Sequence, residues 1–487
     1  MWLRSSEPPE TAATGGGFPT GSAAPGPSRR AVLAVLAVGV LTFALLQSMV
    51  LPVLPTLQER LGTTQSGVSW LITGNLLASA VATPIVGRLG DIHGRQRMLV
   101  VSLGTLGAGC LLCSSATSLP LMIGGRVLQG FGAAVAPLAF GIVRDVFPDR
   151  AVPRAISALS PMLALGAAAG LTLAGPVVGL LGVPWLFWLP MIAVLVAAVA
   201  AYRVVPPSTV RAPGRINWLA AALLTGWLVC MLLAVSWAPT RGWTSPTVLG
   251  LLACVAVFAP LWGAVELRSE QPLIDLRLMR LRVVWTANLV AVLLFFGVFA
   301  ALVLVPQLLQ TDPSAGYGFG ASNTESGLLL LPQSAASFVL GLSAGWLAAR
   351  IGFRRVLVVA ALVGATGYAT LALAHDQLWH VQVALVLAGA GLGLSQAALA
   401  NVVVSGVPQN RTGVAGGMYA NLRTIGGSLG TAVTTTVVTA GAGSDGVPAE
   451  GGYTAAFLVL AATAAAAALG ALVIRGASRP SSAAVRG

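Results

Sequence analysis

Gly87-Arg88-Leu89-Gly90-Asp91-Ile92-His93-Gly94-Arg95-Gln96-Arg97 is the stretch on which the reading of this chain turns. It is a glycine-rich, charged connection between two apolar runs, each of about the 20 residues that a helix needs to cross a bilayer core. A partial copy, Gly345-Trp346-Leu347-Ala348-Ala349-Arg350-Ile351-Gly352-Phe353-Arg354-Arg355, repeats the glycine, leucine, glycine and arginine at the same offsets. A connection repeated on one side of a membrane implies two parallel halves that bracket a central site. The chemistry of the first copy is packing plus charge. Gly87 lets helices approach closely, and Asp91 can pair with nearby arginines and with a helix N-terminus.

Composition supports that frame. The 487 residues are 56% hydrophobic and only 8% charged, against about 25% charged in a soluble globular chain. A set of soluble domains is excluded, because so few ionic groups cannot cover their surfaces. Four cysteines exclude a disulfide scaffold. All 27 basic residues are arginine, so there is no P-loop lysine for ATP and no lysine for a Schiff base.

Fourteen apolar stretches begin near Ala31, Gly67, Met98, Leu121, Pro153, Pro184, Asn217, Pro246, Val284, Ser326, Val356, Trp379, Thr412 and Tyr453. Only helices satisfy their backbone in such stretches, so the expected class is an all-α polytopic membrane protein. Arginines collect in alternate connections, among them Arg88, Arg95 and Arg97, then Arg144, Arg150 and Arg154, then Arg203, Arg211 and Arg215. The tails add Arg4, Arg475, Arg479 and Arg486, whereas the opposite connections hold only Arg60 and Arg241. Cytoplasmic loops collect arginine, which places both termini in the cytoplasm of a cell carrying this chain in its plasma membrane. The net charge of +13 is then an orientation signal and implies no nucleic-acid partner. The expected organisation is a disordered tail over 1–28, a six-helix half over 29–205 and two inserted helices over 206–266. A second six-helix half over 267–476 and a tail over 477–487 complete it.

These residues carry a resemblance. The chain resembles the major facilitator superfamily, specifically its fourteen-helix drug:proton antiporter branch, over nearly everything after the first tail. Gly87 to Arg97 is similar to the superfamily's loop signature, which implies a gating latch of Gly87, Asp91, Gly94, Arg95 and Arg97 that holds the cytoplasmic side closed. Arg126-Val127-Leu128-Gln129-Gly130 is similar to the fourth-helix motif, implying roles for Arg126, Gln129 and Gly130. Arg126 and Gln129 share a helix face. The arginine is expected to face a cavity or a partner, with snorkelling to the interface as the alternative. Gly175-Pro176-Val177-Val178-Gly179 resembles the antiporter motif more loosely, since Leu171 and Leu180 stand where the pattern has glycine. Gly175, Pro176 and Gly179 would form a kinked, closely packed helix face. Gly242-Trp243-Thr244-Ser245-Pro246 and Pro272-Leu273-Ile274-Asp275-Leu276-Arg277 look typical of the fourteen-helix branch.

The clearest departure is in the first span, where the branch often has an aspartate and this chain has Gln47. No Asp or Glu falls deep inside an expected span, and Asp445 with Glu325 and others lies at the outer face, while Arg126 and Arg423 are buried cations. Guanidinium suits carboxylates. The expected substrate is therefore an anionic, zwitterionic or neutral amphiphile, the alternative being that both arginines bond only to carbonyls and polar side chains. Polar span residues that could line the cavity are Gln47, Asn75, Gln333, Asn421 and Arg423.

Other signals are weaker. Cys110-Leu111-Leu112-Cys113 sits in mid-span with no second pair, so no metal site is expected. Gly389-Ala390-Gly391-Leu392-Gly393 follows no strand, so its glycines are expected to pack helices. His93, His375 and His380 make no constellation and are expected to be exposed. Trp70 is expected at the interface or turned inward. The function implied is a non-enzymatic secondary exporter of a small amphiphilic drug or antibiotic, coupled to protons, needing no cofactor and working as a monomer in the bilayer. A metabolite importer on the same fold and a transporter-like membrane sensor are the alternatives.

Overall fold

Polar caps and glycines set the helix boundaries. Ser28, Thr64, Asn217 and Ser245 each accept the backbone N–H three residues on, at 3.1 to 3.4 Å, satisfying donors that a first turn leaves free. Gly94, Gly182, Gly242 and Gly352 end helices at φ values of 84° to 101°, a region costly for any residue with a Cβ. Between such boundaries the apolar runs are helical, and no strand occurs among the described residues. The computed structural model describes residues 28–208, 215–270, 272–274, 276–440 and 448–474. Most of the two expected tails, Arg4, Arg211, Arg475, Arg479, Arg486, Asp275 and Asp445 lie outside the described residues.

The first group of helices is α1 (Arg29–Met49), α2 (Gln65–His93), α3 (Arg95–Ser114) and α4 (Leu119–Gly130). A 3-10 turn over Phe131–Ala134 carries α4 into α5 (Val135–Val146), followed by α6 (Val152–Leu181) and α7 (Trp185–Val204). Next come α8 (Trp218–Arg241) and α9 (Pro246–Arg268). The last group is α10 (Arg282–Gln310), α11 (Leu331–Ile351), α12 (Phe353–Leu373), α13 (Leu378–Ser405), α14 (Thr412–Thr439) and α15 (Glu450–Val473). With α4 and α5 taken together, thirteen of the described helices are long and apolar enough to cross a membrane. The fourteenth expected span is α14, which has 28 residues. Its glycines, threonines, Asn421 and Arg423 make it too polar to be counted on apolarity.

One hydrophobic core joins α1 to α7, and it also takes Ala400 and Val404 from α13. Two further cores join α10 to α15. The pair α8–α9 packs on itself through Trp227 and Trp262, whose ring centroids are 5.8 Å apart. Its core also takes Val414, Met418 and Ile425 of α14 and Ile85 of α2, so the pair lies along the seam where α2 meets α14. Outward faces carry bare aliphatic side chains such as Val196, Val199 and Leu469, a surface suited to lipid tails rather than water.

Lipid tails are as apolar as leucine, so close packing replaces the hydrophobic effect between helices here. The expected packing glycines do this. A Cβ on Gly391 would lie 2.6 Å from the Ala360 carbonyl oxygen of α12, and Gly389 and Gly393 lie against the backbone of Gln333 and Ser337 on α11. Gly391→Val should therefore cost about 1–3 kcal/mol through overpacking, read as a lower melting temperature of the detergent-purified protein. Gly104→Ala on α3, where a Cβ meets nothing within 4 Å, should leave melting unchanged or raise it, since alanine is the better helix former.

Candidate functional site

The Gly87–Arg97 stretch ends α2, and Gly94 turns the chain into α3. Its other partner is the start of α14, more than 300 residues later. A Cβ on Gly87 would lie 2.6 Å from the Gly413 carbonyl oxygen, and one on Gly413 would lie 2.6 Å from that of Gly87. This contact brings Asp91 onto the N-terminus of α14. Its Oδ1 accepts the Gly413 N–H at 3.2 Å, and its Oδ2 accepts the Val414 N–H at 3.1 Å. The Asp91 Oδ1 also receives Nε and Nη2 of Arg95 at 3.0 and 2.9 Å.

Arg95 spreads the contact. Its Nη1 donates to Asp145 Oδ1 at 2.6 Å and to the Gly141 carbonyl at 3.2 Å, while Nη2 donates to the Gln409 carbonyl. Ser208 Oγ accepts the Arg95 backbone N–H at 3.0 Å. Beside it, Arg144 Nη1 donates to the carbonyls of Val404 and Val407 at 2.6 and 2.7 Å and to Thr412 Oγ1 at 3.0 Å. Gln409 Nε2 returns a bond to the Arg144 carbonyl at 3.1 Å. The result is a buried clasp between α2, α3 and α5 on one side and the α13–α14 connection on the other. Gly87, Asp91, Gly94 and Arg95 belong to it. Arg97 does not, because its side chain is exposed.

The fourth-helix residues form a separate cluster. Arg126 is only 2% exposed, so it neither snorkels nor reaches the interface. Its Nε donates to the Leu71 carbonyl at 3.1 Å and its Nη1 to Gln129 Oε1 at 2.7 Å. Asn75 Nδ2 donates to the Arg126 carbonyl at 2.9 Å, and Gly130 lets α4 lie against Asn75 and Ala78 of α2. Arg126 thus matches the alternative given for it, bonding to a carbonyl and a polar side chain.

The expected cavity residues have separate partners. Asn75 serves the Arg126 cluster. Asn421 Nδ2 bridges from α14 to the Ala80 carbonyl of α2 at 2.8 Å. Gln333 is buried on α11 and Gln47 is partly exposed on α1. Arg423 is partly exposed, with its Cζ 5.1 Å from the centre of the Phe295 ring.

Two expectations are corrected. A Cβ on Gly175 or Gly179 meets nothing within 4 Å, and Pro176 is exposed, so this motif forms no close-packed face in this conformation. Gly166 and Gly170, earlier in α6, instead lie against the carbonyls of Leu41 and Leu45 on α1. His375 is only 7% exposed, and its Nε2 lies 3.1 Å from Glu450 Oε1. The expectation for Glu325 is not contradicted: it is exposed and forms a capping box, its Oε2 taking the Ser322 N–H at 2.8 Å.

Glu266 is a residue that the sequence reading misses. It is buried, and its carboxylate accepts the N–H groups of Trp262, Leu273 and Ile274 at 2.9 to 3.2 Å. That pins the Pro272 connection to α9. Cys110 and Cys113 are buried free thiols, and no metal-holding group of His, Cys, Asp and Glu occurs among the described residues. Trp70 turns its edge to Trp237 of α8 at 6.2 Å.

Comparison with known proteins agrees with this architecture. A family model described as the Major Facilitator Superfamily matches residues 36–431 and 289–487. A multidrug resistance protein B homolog of Mycobacterium tuberculosis is 30% identical over 390 residues, which cover 78% of this chain and 70% of that protein. The tetracenomycin C resistance and export protein of Streptomyces glaucescens is 31% identical over 406 residues, or 82% of this chain and 74% of its own. The chain spans 58% to 77% of the length of such curated relatives. The crystal structure of the human organic anion transporter MFSD10 (TETRAN) shares the fold, with a TM-score of 0.67 at 16% identity over 92% of this chain and 100% of that one.

Removing one partner of a buried ion pair costs about 3–5 kcal/mol, so the clasp yields a sharp contrast. Asp91→Asn should open the α2–α14 end, seen as a longer spin-label distance across it, and cut transport at least tenfold with normal membrane insertion. Arg97→Gln, outside the clasp, should leave the distance unchanged.

Proposed function

Because this chain belongs to the major facilitator superfamily, and because its clasp joins helices from opposite ends of the sequence, we propose that it is an alternating-access exporter of a small amphiphilic drug or antibiotic. Two six-helix halves, 29–205 and 267–476, rock about a central site, with 206–266 inserted along their seam. The observation that carries this reading is Asp91 bound at once to Arg95 and to the N-terminus of α14. A carboxylate at that position holds one end shut and is released when the halves tilt. The arginine-rich connections around it support a cytoplasmic position for that end, with the conformation closed to the cytoplasm. Both termini then lie inside a bacterial plasma membrane, and the chain works as a monomer.

The names of the relatives favour export over import, since resistance requires outward transport. The substrate is anionic, zwitterionic or neutral rather than a lipophilic cation. Every described Asp or Glu lies in a connection or within two residues of a helix end, leaving the interior without a carboxylate for a cation. Coupling is to protons, and the carboxylates of the clasp are the groups placed to carry them.

Everted vesicles with the pH gradient and the membrane potential collapsed separately test this. Efflux should stop when the pH gradient is removed. Efflux that survives on potential alone would overturn proton coupling, and absence of flux with every resistance-panel compound would favour the sensor alternative.

A further inference from the structure

Arg423 differs from the other arginines within the bundle whose contacts have been described. Arg95, Arg126 and Arg144 each spend their guanidinium on carboxylate, carbonyl, amide or hydroxyl oxygens. Arg423 makes no hydrogen bond or ion pair with any described residue. Its Nε is buried without a partner, and its recorded contact is the face of Phe295. One turn earlier on the same face of α14, the Tyr419 hydroxyl is also buried and unpartnered. Tyr419 and Phe299 stand edge-on to Phe295, with ring centroids 6.5 and 6.1 Å away.

A guanidinium among aromatic rings keeps some compensation from the ring quadrupole, but its N–H donors still lack acceptors. A half-buried cation whose buried Nε is left without an acceptor lowers stability, which is the mark of a group kept for a ligand. No described carboxylate lies in mid-helix to serve it. We propose that Arg423 and Tyr419 form the anion-binding end of the transported compound's site, taking a carboxylate or ionised phenol whose flat apolar body lies along Phe295 and Phe299. This rests on the exporter reading and narrows its substrate to amphiphilic monoanions. The two oxygens of a carboxylate accept the guanidinium fork and the tyrosine O–H together. A phosphate dianion would bring a second charge with no second cation beside it, and the surrounding rings would not solvate that charge.

The test uses purified full-length protein in proteoliposomes with three matched fluorescent probes: pyrenebutyrate, its methyl ester, and the trimethylammonium analogue. Wild type should move the carboxylate fastest. Arg423→Gln should slow the carboxylate at least tenfold and leave the ester unchanged, Arg423→Lys should retain part of the rate, and Tyr419→Phe should slow the carboxylate less than Arg423→Gln. Thermal melting supplies the second readout. Arg423→Met should melt higher than wild type, and pyrenebutyrate should raise the melting temperature of wild type but not of this variant.

Carboxylate transport by Arg423→Gln at the wild-type rate would overturn the proposal, as would wild-type preference for the cation. A lower melting temperature for Arg423→Met would mark Arg423 as structural and overturn it too. In each of those cases the exporter reading stands. If wild type moves none of the probes and confers no resistance on cells, the exporter reading fails and this proposal with it.

Discussion

The two oxygens of Asp91 are the point on which the closed end of this molecule depends. One oxygen holds Arg95 in place, and both cap the first N–H groups of α14. Those groups have no partner within their own helix, and they carry the positive end of its dipole. Arg95, once fixed, reaches Asp145, Gly141 and Gln409 in three other directions. None of this is possible unless the two backbones touch, and Gly87 and Gly413 are the residues that let them. Packing therefore comes before charge, and the ion pair records that the packing has been achieved.

The second copy of the motif shows what the charge adds. Gly345 lies against Ser157 and the backbone of Arg154 at the start of α6, as Gly87 lies against the start of α14. At the offset of Asp91 the copy has Ala349, and at that of Arg95 it has Phe353. One seam is thus packed and clasped, and the other is packed with, among the described residues, the bond from Asn401 Nδ2 to Ser157 Oγ, at 3.2 Å, beside it. Opening this end means breaking one ionic network, while the second seam slides on small residues.

The helices and the near side of the clasp were legible in the sequence, because apolar runs, caps and glycine boundaries are local signals. The far side was not. Gln409, Gly413 and Val414 contribute a carbonyl and two N–H groups, which every residue but proline possesses, so no side-chain pattern could reveal them. The motif groups Arg97 with Arg95, yet a helix turns about 200° in two residues and carries Arg97 to the exposed face. Gly175 and Gly179 failed for a related reason. Glycine spacing says that a face can pack closely, but only the neighbour decides whether it does, and α1 chose Gly166 and Gly170. His375 follows the end of a helix, where exposure is the default, and its Nε2 contacts Glu450, 75 residues away.

The absence of lysine also has a structural meaning. Arg95 serves four acceptors through Nε, Nη1 and Nη2, a spread that a planar guanidinium can make and a compact ammonium cannot. Cations of this kind can be placed inside the bundle wherever carbonyls or rings surround them, whereas carboxylates find enough donors only where helices begin or end. That separates the charges by depth: acids at the ends, arginines within. If efflux is driven by protons, the proton has to be taken up near a helix end, and Asp91 and Asp145 are the buried acids at the clasped one. Neutralising Asp91 removes the charge that Arg95 and the α14 terminus both depend on. On that reading proton uptake and opening of the cytoplasmic end are one event at one carboxylate, and the interior is left free to discriminate among substrates.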